Sequence, residues 1–182
     1  MTTHRTDPLL LAGKVVTLII QGALAIGAAA VAIALPAVWL AKAGYLTGVV
    51  HGDGLTIDTL PIMAFTALML VALVFIAAMF MFFGKLRAII DTVGDGDPFI
   101  PDNADRLNHM AWLLLGVQVL ALPVTALAAR VAAAAGKLDE VKLSLADGSF
   151  SLNGVLVVLL LFILARVFRQ GAALREDLEG TV

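Results

Sequence analysis

The chain has no cysteine. That excludes disulfides, thiolate nucleophiles and cysteine-ligated zinc or iron–sulfur sites. Charge is also scarce. Asp, Glu, Lys and Arg make up 14% of 182 residues, whereas 61% are hydrophobic and the mean hydropathy is +1.01. A soluble domain carries about 25% charged residues. The net charge of −2 argues against direct nucleic-acid binding, which needs a basic face. The three histidines, His4, His51 and His109, are scattered, so no histidine metal site is expected.

What is present is four long runs without one charged residue: Val15–Leu40, Thr59–Gly84, Met110–Ala129 and Gly148–Ala165. A helix rises about 1.5 Å per residue, and roughly 20 residues cross the ~30 Å hydrocarbon core of a bilayer. The reading is a single all-α integral membrane domain, a four-transmembrane-helix bundle. Its spans are expected at about 15–40, 60–83, 110–130 and 152–168, with outer loops 43–58 and 136–151, an inner loop 84–109 and a tail 171–182. The first run is far longer than a secretory signal core and is expected to stay as a membrane helix. Neither lipidation nor a separate soluble catalytic domain is expected.

Basic residues orient the bundle. Arg5, Lys14, Lys85, Arg87, Arg106, Arg166, Arg169 and Arg175 fall on one side; Lys42, Arg130, Lys137 and Lys142 fall on the other. The positive-inside bias places both termini and the central loop in the cytoplasm of a multi-pass cell-membrane protein. Trp39 and Tyr45, and on the opposite side Phe82, Phe83 and Trp112, suit interfacial aromatic positions.

Local signals refine the connections. Pro36 is expected to kink or end the first helix. Gly94-Asp95-Gly96-Asp97-Pro98 must break the second, after an extension through Lys85–Val93. Asp102 reads as the N-cap of the third. Outside, Leu55-Thr56-Ile57 reads as a short strand. Val141–Leu145 and Ser149–Leu152 flank Asp147-Gly148 in the pattern of a β-hairpin, so a small outer hairpin or sheet is expected.

The inner loop and the tail carry the most distinctive sequence. Gly96-Asp97-Pro98-Phe99, then Asn103 and Arg106-Leu107, form one segment, and Phe162–Asp177 forms the other, with Thr181-Val182 at the close. Together they resemble the bacterial four-span membrane proteins catalogued as domain of unknown function 2975. The resemblance implies no known activity. Its members are often encoded beside a small helix-turn-helix regulator, which implies a membrane partner for a transcription factor.

Candidate chemistry is sparse. Asp91, Asp95, Asp97, Asp102 and Asp105 crowd the inner loop, but Pro98-Phe99 breaks the ligand ladder an EF-hand needs, so turn formation and capping explain them. No cofactor, metal or catalytic constellation is expected, and the protein is read as non-enzymatic. Gln21 and Gln118 lie inside spans and read as interhelical hydrogen-bond glue. Arg166 and Arg169 read most simply as interfacial anchors. A sharper reading has one of them pair with Asp97, Asp102 or Asp105 and lock the tail against the loop. The candidate partner-binding or locking residues are thus Asp97, Pro98, Phe99, Asn103, Arg106, Arg166, Arg169 and Arg175. Two function classes stay open: a regulatory or scaffold protein holding a cytoplasmic partner such as a helix-turn-helix regulator, and a small oligomeric transporter or channel subunit. In either case membrane lipids surround it, and the small residues of the first span would serve a homo-oligomer.

With no native cysteine, orientation is directly testable. In intact cells a membrane-impermeant maleimide should label Ala43→Cys and should label Glu176→Cys only after the membrane is opened; the reverse pattern contradicts the orientation.

Overall fold

The computed structural model describes residues 8–45, 61–134 and 151–179. Four helices account for almost all of them: α1 (Pro8–Lys42), α2 (Ile62–Gly94), α3 (Pro101–Ala134) and α4 (Leu152–Glu179). All four are long and apolar enough to cross a membrane, and the chain is a multi-pass membrane protein. Ile19, Ile26 and Ile33 recur every seven residues along one line of α1 and are each at least 66% exposed. In water such a line would be costly; against lipid it is the expected outer face.

Every helix outruns its charge-free run. At 33 residues α2 is about 50 Å long. Roughly 30 Å suffices for the hydrocarbon, so turns are left over for polar sequence. α1 passes through Pro36 to Lys42, so this proline neither ends the helix nor shortens the span. α3 starts at Pro101, which puts Asp102 in the first turn instead of at the cap. Proline suits that first position because its missing N–H would have no partner there, and the Asp102 carboxylate faces the positive end of the helix dipole.

The expected outer hairpin or short sheet is contradicted. Among the described residues there is no strand, and Leu152, the last expected hairpin position, opens α4 where the fourth span was expected to start. Ser151 is in no regular element, and hairpin positions 141–150 and Leu55–Ile57 lie outside the described residues. The alternation around Asp147-Gly148 runs straight into a charge-free stretch, and at Leu152 the helical preference of that stretch prevails.

Helices α1 and α2 end in the same way. Tyr45 N–H donates to Leu40 C=O and Gly44 N–H to Ala41 C=O; Asp97 N–H donates to Thr92 C=O and Gly96 N–H to Val93 C=O. This paired closure satisfies the last carbonyls and needs a left-handed residue between them. Gly44 (φ 83°) and Gly96 (φ 84°) supply it.

The chain divides into two compact units. The first comprises residues 1–24, 78–115 and 153–182 and the second residues 25–77 and 116–152. Within the first, Ile89, Leu107, Met110 and Ala165 form a buried cluster flanked by Phe82, Leu86, Leu161, Leu164 and Phe168. Within the second, Trp39 Nε1–H donates to Thr66 Oγ1 at 3.1 Å and ties α1 to α2.

Gly96→Ala should lower the stability of the detergent-purified protein by about 1–2 kcal/mol, the cost of a Cβ at left-handed φ, and Gly96→Asn by less. Thermal unfolding reads the difference.

Candidate functional site

The first unit holds most of the buried residues and nearly all of the described charge. Its centre is Asn103, which is completely buried. Asn103 lies on the α3 face that also carries Leu107 and Met110, four and seven residues on, so a polar amide sits on an apolar stripe. Burial of an amide is tolerated only when its hydrogen bonds are made. Here they are. Asn103 Nδ2 donates to Thr92 Oγ1 at 2.7 Å and to Pro98 C=O at 2.9 Å. Its Oδ1 accepts from Arg106 Nη1 at 2.7 Å. Thr92 Oγ1 in turn donates to Ile89 C=O at 2.8 Å. One side chain thereby joins the end of α2, the connecting loop and the first turns of α3.

The loop itself is short and stiff. Pro98 and Pro101 fix their own φ and push Asp97 and Ile100 towards extended backbone. That delivers Phe99 onto α4. Its ring lies 5.2 Å from the Phe168 ring. A Cβ built on Gly171 would meet the Phe99 ring at 2.7 Å. A bare backbone at 171 is therefore what lets the ring seat against the helix.

Ion pairs extend the same junction. Arg169 Nη2 donates to Asp105 Oδ1 at 3.0 Å, and Arg175 pairs with Asp97. Arg106 also lies 3.7 Å from Asp102. On the far side of α2, Lys14 pairs with Asp91 at 2.7 Å, while a Cβ on Gly13 would lie 3.3 Å from Ile90 Cδ1. These pairs are largely solvent-exposed, so each contributes only about 0.2–1 kcal/mol. They set register; the buried amide and the ring contact hold the loop.

Of the residues singled out from sequence, Asp97, Pro98, Phe99, Asn103, Arg106, Arg169 and Arg175 converge on this junction. Arg166 does not. It is exposed, and no carboxylate faces it among the described residues. Gln21 and Gln118 each reach a neighbouring backbone, Phe80 C=O and Ser151 C=O respectively, both at 3.3 Å. Thr92, Phe168 and Gly171 complete the junction and were not recognised from sequence as its parts. A glycine inside a helical run, at Gly171, was the available signal. Among the described residues no group of three or more potential ligands could hold a metal.

Truncation of the hub should cost far more than loss of an exposed pair. Asn103→Ala leaves the Arg106 and Thr92 groups without their partner and should destabilise by about 2–3 kcal/mol. Asp105→Asn should cost under about 1 kcal/mol. Denaturation of the two purified variants against the parent measures both.

No curated protein and no solved structure matches the chain. One family model does, over residues 56–182, and it is described as a protein of unknown function (DUF2975). The match spans both the Gly96–Leu107 and the Phe162–Asp177 segments, which are the two sides of the Asn103–Phe99 junction. The chain therefore belongs to the DUF2975 family.

Proposed function

We propose that this protein is a non-enzymatic regulatory or scaffold protein of the bacterial cytoplasmic membrane, whose α2–α3 loop and tail helix form the docking face for a cytoplasmic protein. The observation that supports this most is the pinned loop. Residues 95–100 are fixed by Asn103 on one side and by Gly171, Phe168 and Arg175 on the other. A fixed surface presents its rim without the ordering cost that a mobile loop would incur on binding. The rim is acidic: Asp95 and Glu176 are exposed and face no cation among the described residues, and Asp102 is mostly exposed. Charge complementarity then favours a basic partner surface. A helix-turn-helix regulator, which needs a basic face for nucleic acid, is a suitable type.

The transporter or channel reading has less support. The second unit has a cleft of about 340 Å³ between α2 and α3, lined by residues such as Leu68, Phe75, Val117 and Val124. Gln118 is the polar group in that lining, and its amide is already engaged with Ser151. The small-residue face of α1 is used in part within the chain: a Cβ on Gly27 would lie 4.0 Å from Ile76 Cδ1.

Photo-crosslinking in cells tests the proposal. A crosslinker at Glu176 should trap one soluble basic protein, and a crosslinker at Ala43 should not. The adduct should weaken when Asp95→Lys is added, and also in Gly171→Ala, which expels the Phe99 ring. Crosslinks at Glu176 to lipid or to other copies of the chain alone would overturn the docking reading.

A further inference from the structure

The far end of α4 carries apolar side chains where no membrane reaches. Gly171, Leu174 and Leu178 follow one another at steps of three and four residues, so they share one face of the helix. The Phe99 ring is seated on Gly171, which sets an aromatic side chain of the α2–α3 loop beside the two leucines. All three are open to solvent: Phe99 is 43%, Leu174 66% and Leu178 70% exposed. One exposed leucine needs no explanation, but a ring and two leucines side by side form a contiguous apolar patch. Lipid is out of reach. Arg166 is the first charge after the fourth charge-free run. Leu174 lies about 12 Å and Leu178 about 18 Å farther along the helix, whereas headgroups add only about 5–8 Å to each side of the hydrocarbon.

Charge narrows the choice of occupant. Lys14, Arg106, Arg169 and Arg175 are each matched by a carboxylate, and Asp95, Glu176 and Asp177 come on top of these pairs. The end of α4 adds the negative pole of its helix dipole. Cations nearer the spans do not cancel this excess. Along the helices, Arg87 stands about 12 Å from Asp95 and Arg166 about 15 Å from Glu176, beyond the ~8 Å screening length at physiological salt. A second copy of the chain would bring the same excess and be repelled. A segment that carries cations beside apolar side chains is attracted.

We infer that Phe99, Leu174 and Leu178 take the apolar stripe of a basic amphipathic helix in the partner protein. This contact belongs to the docking face proposed above and rests on that reading. Leucines one turn apart on α4 fit between the i, i+3 and i+4 side chains of a second helix. Asp177 lies on one flank of the leucine stripe, and Arg175, paired with Asp97 of the loop, lies on the other. Lys and Arg beside the partner's apolar stripe meet Asp177 and the acidic loop.

Two fluorescent helical peptides of equal length test the contact on the full-length protein in phosphatidylcholine nanodiscs. One, of Leu and Lys, has an apolar face; the other has the same Lys positions with Gln for every Leu. Fluorescence anisotropy, corrected for binding to empty nanodiscs, should show the Leu/Lys peptide bound about a hundredfold more tightly, since each of two buried leucines carries about tenfold. Leu174→Gln and Leu178→Gln should each lower that preference by about tenfold, and the double variant should abolish it. Both positions are exposed, so the variants should unfold at the parent's temperature. Leu11→Gln removes an exposed leucine from α1 and should change nothing. Equal binding of the two peptides, a preference kept in the double variant, or an equal loss in Leu11→Gln would overturn the apolar contact and leave docking by charge standing. Binding of neither peptide would overturn the contact too; whether the docking reading falls with it is decided separately by the Glu176 crosslinks.

Discussion

The buried amide of Asn103 is the constraint around which this end of the protein is organised. Two apolar helices that return on each other near a membrane leave carbonyls and N–H groups at their ends, and solvation there cannot be left to chance. The chain answers with one side chain whose two donors and one acceptor are all used. The Thr92 hydroxyl passes the chain of bonds on to Ile89, so the network reaches one turn back into α2. Within such a network each bond polarises the next, and removal of one member exposes the others.

Other features follow from that fixed point. Because Pro98 C=O is held, Phe99 emerges in one direction and meets α4 where residue 171 has no side chain. Because the ring is seated, Asp97 and Asp105 come within reach of Arg175 and Arg169. The exposed ion pairs are thus consequences of the packing more than causes of it. Each is weak because both partners are in contact with solvent. Arg166, which faces no carboxylate among the described residues, stays out of the junction because it lies towards the apolar spans, short of the Arg169 and Arg175 turns that meet the carboxylates.

The helices were legible because charge-free runs longer than about 20 residues have one common solution in a bilayer. The Gly94–Pro98 break was legible for a local reason as well, since Gly96 needs a left-handed φ that few other residues accept. Helix ends were less so: Pro36 is absorbed and Asp102 is displaced by Pro101, because tertiary context and a favourable first-turn proline outweigh single-residue preferences. The β-hairpin was misread at Leu152, where alternation over a few residues competed with a long helical run. At the site, the residue types of the loop and tail were readable, but their partners were not. That Arg169 and not Arg166 meets Asp105 depends on the rotation of α4, and Gly171 matters only once Phe99 is placed opposite it.

Hydrogen exchange at the end of α2 and in the loop tests the central claim most directly. The Gly96 and Asp97 amides close the end of α2 and should be slow to exchange in the parent. In Asn103→Ala they and the Phe99 amide should exchange at least tenfold faster, on the order of the 1.4 kcal/mol that such a factor represents, while amides in the middle of α2 keep their protection. Unchanged exchange at Gly96, Asp97 and Phe99 in that variant would mean that the loop is held by something other than Asn103, and would contradict the account.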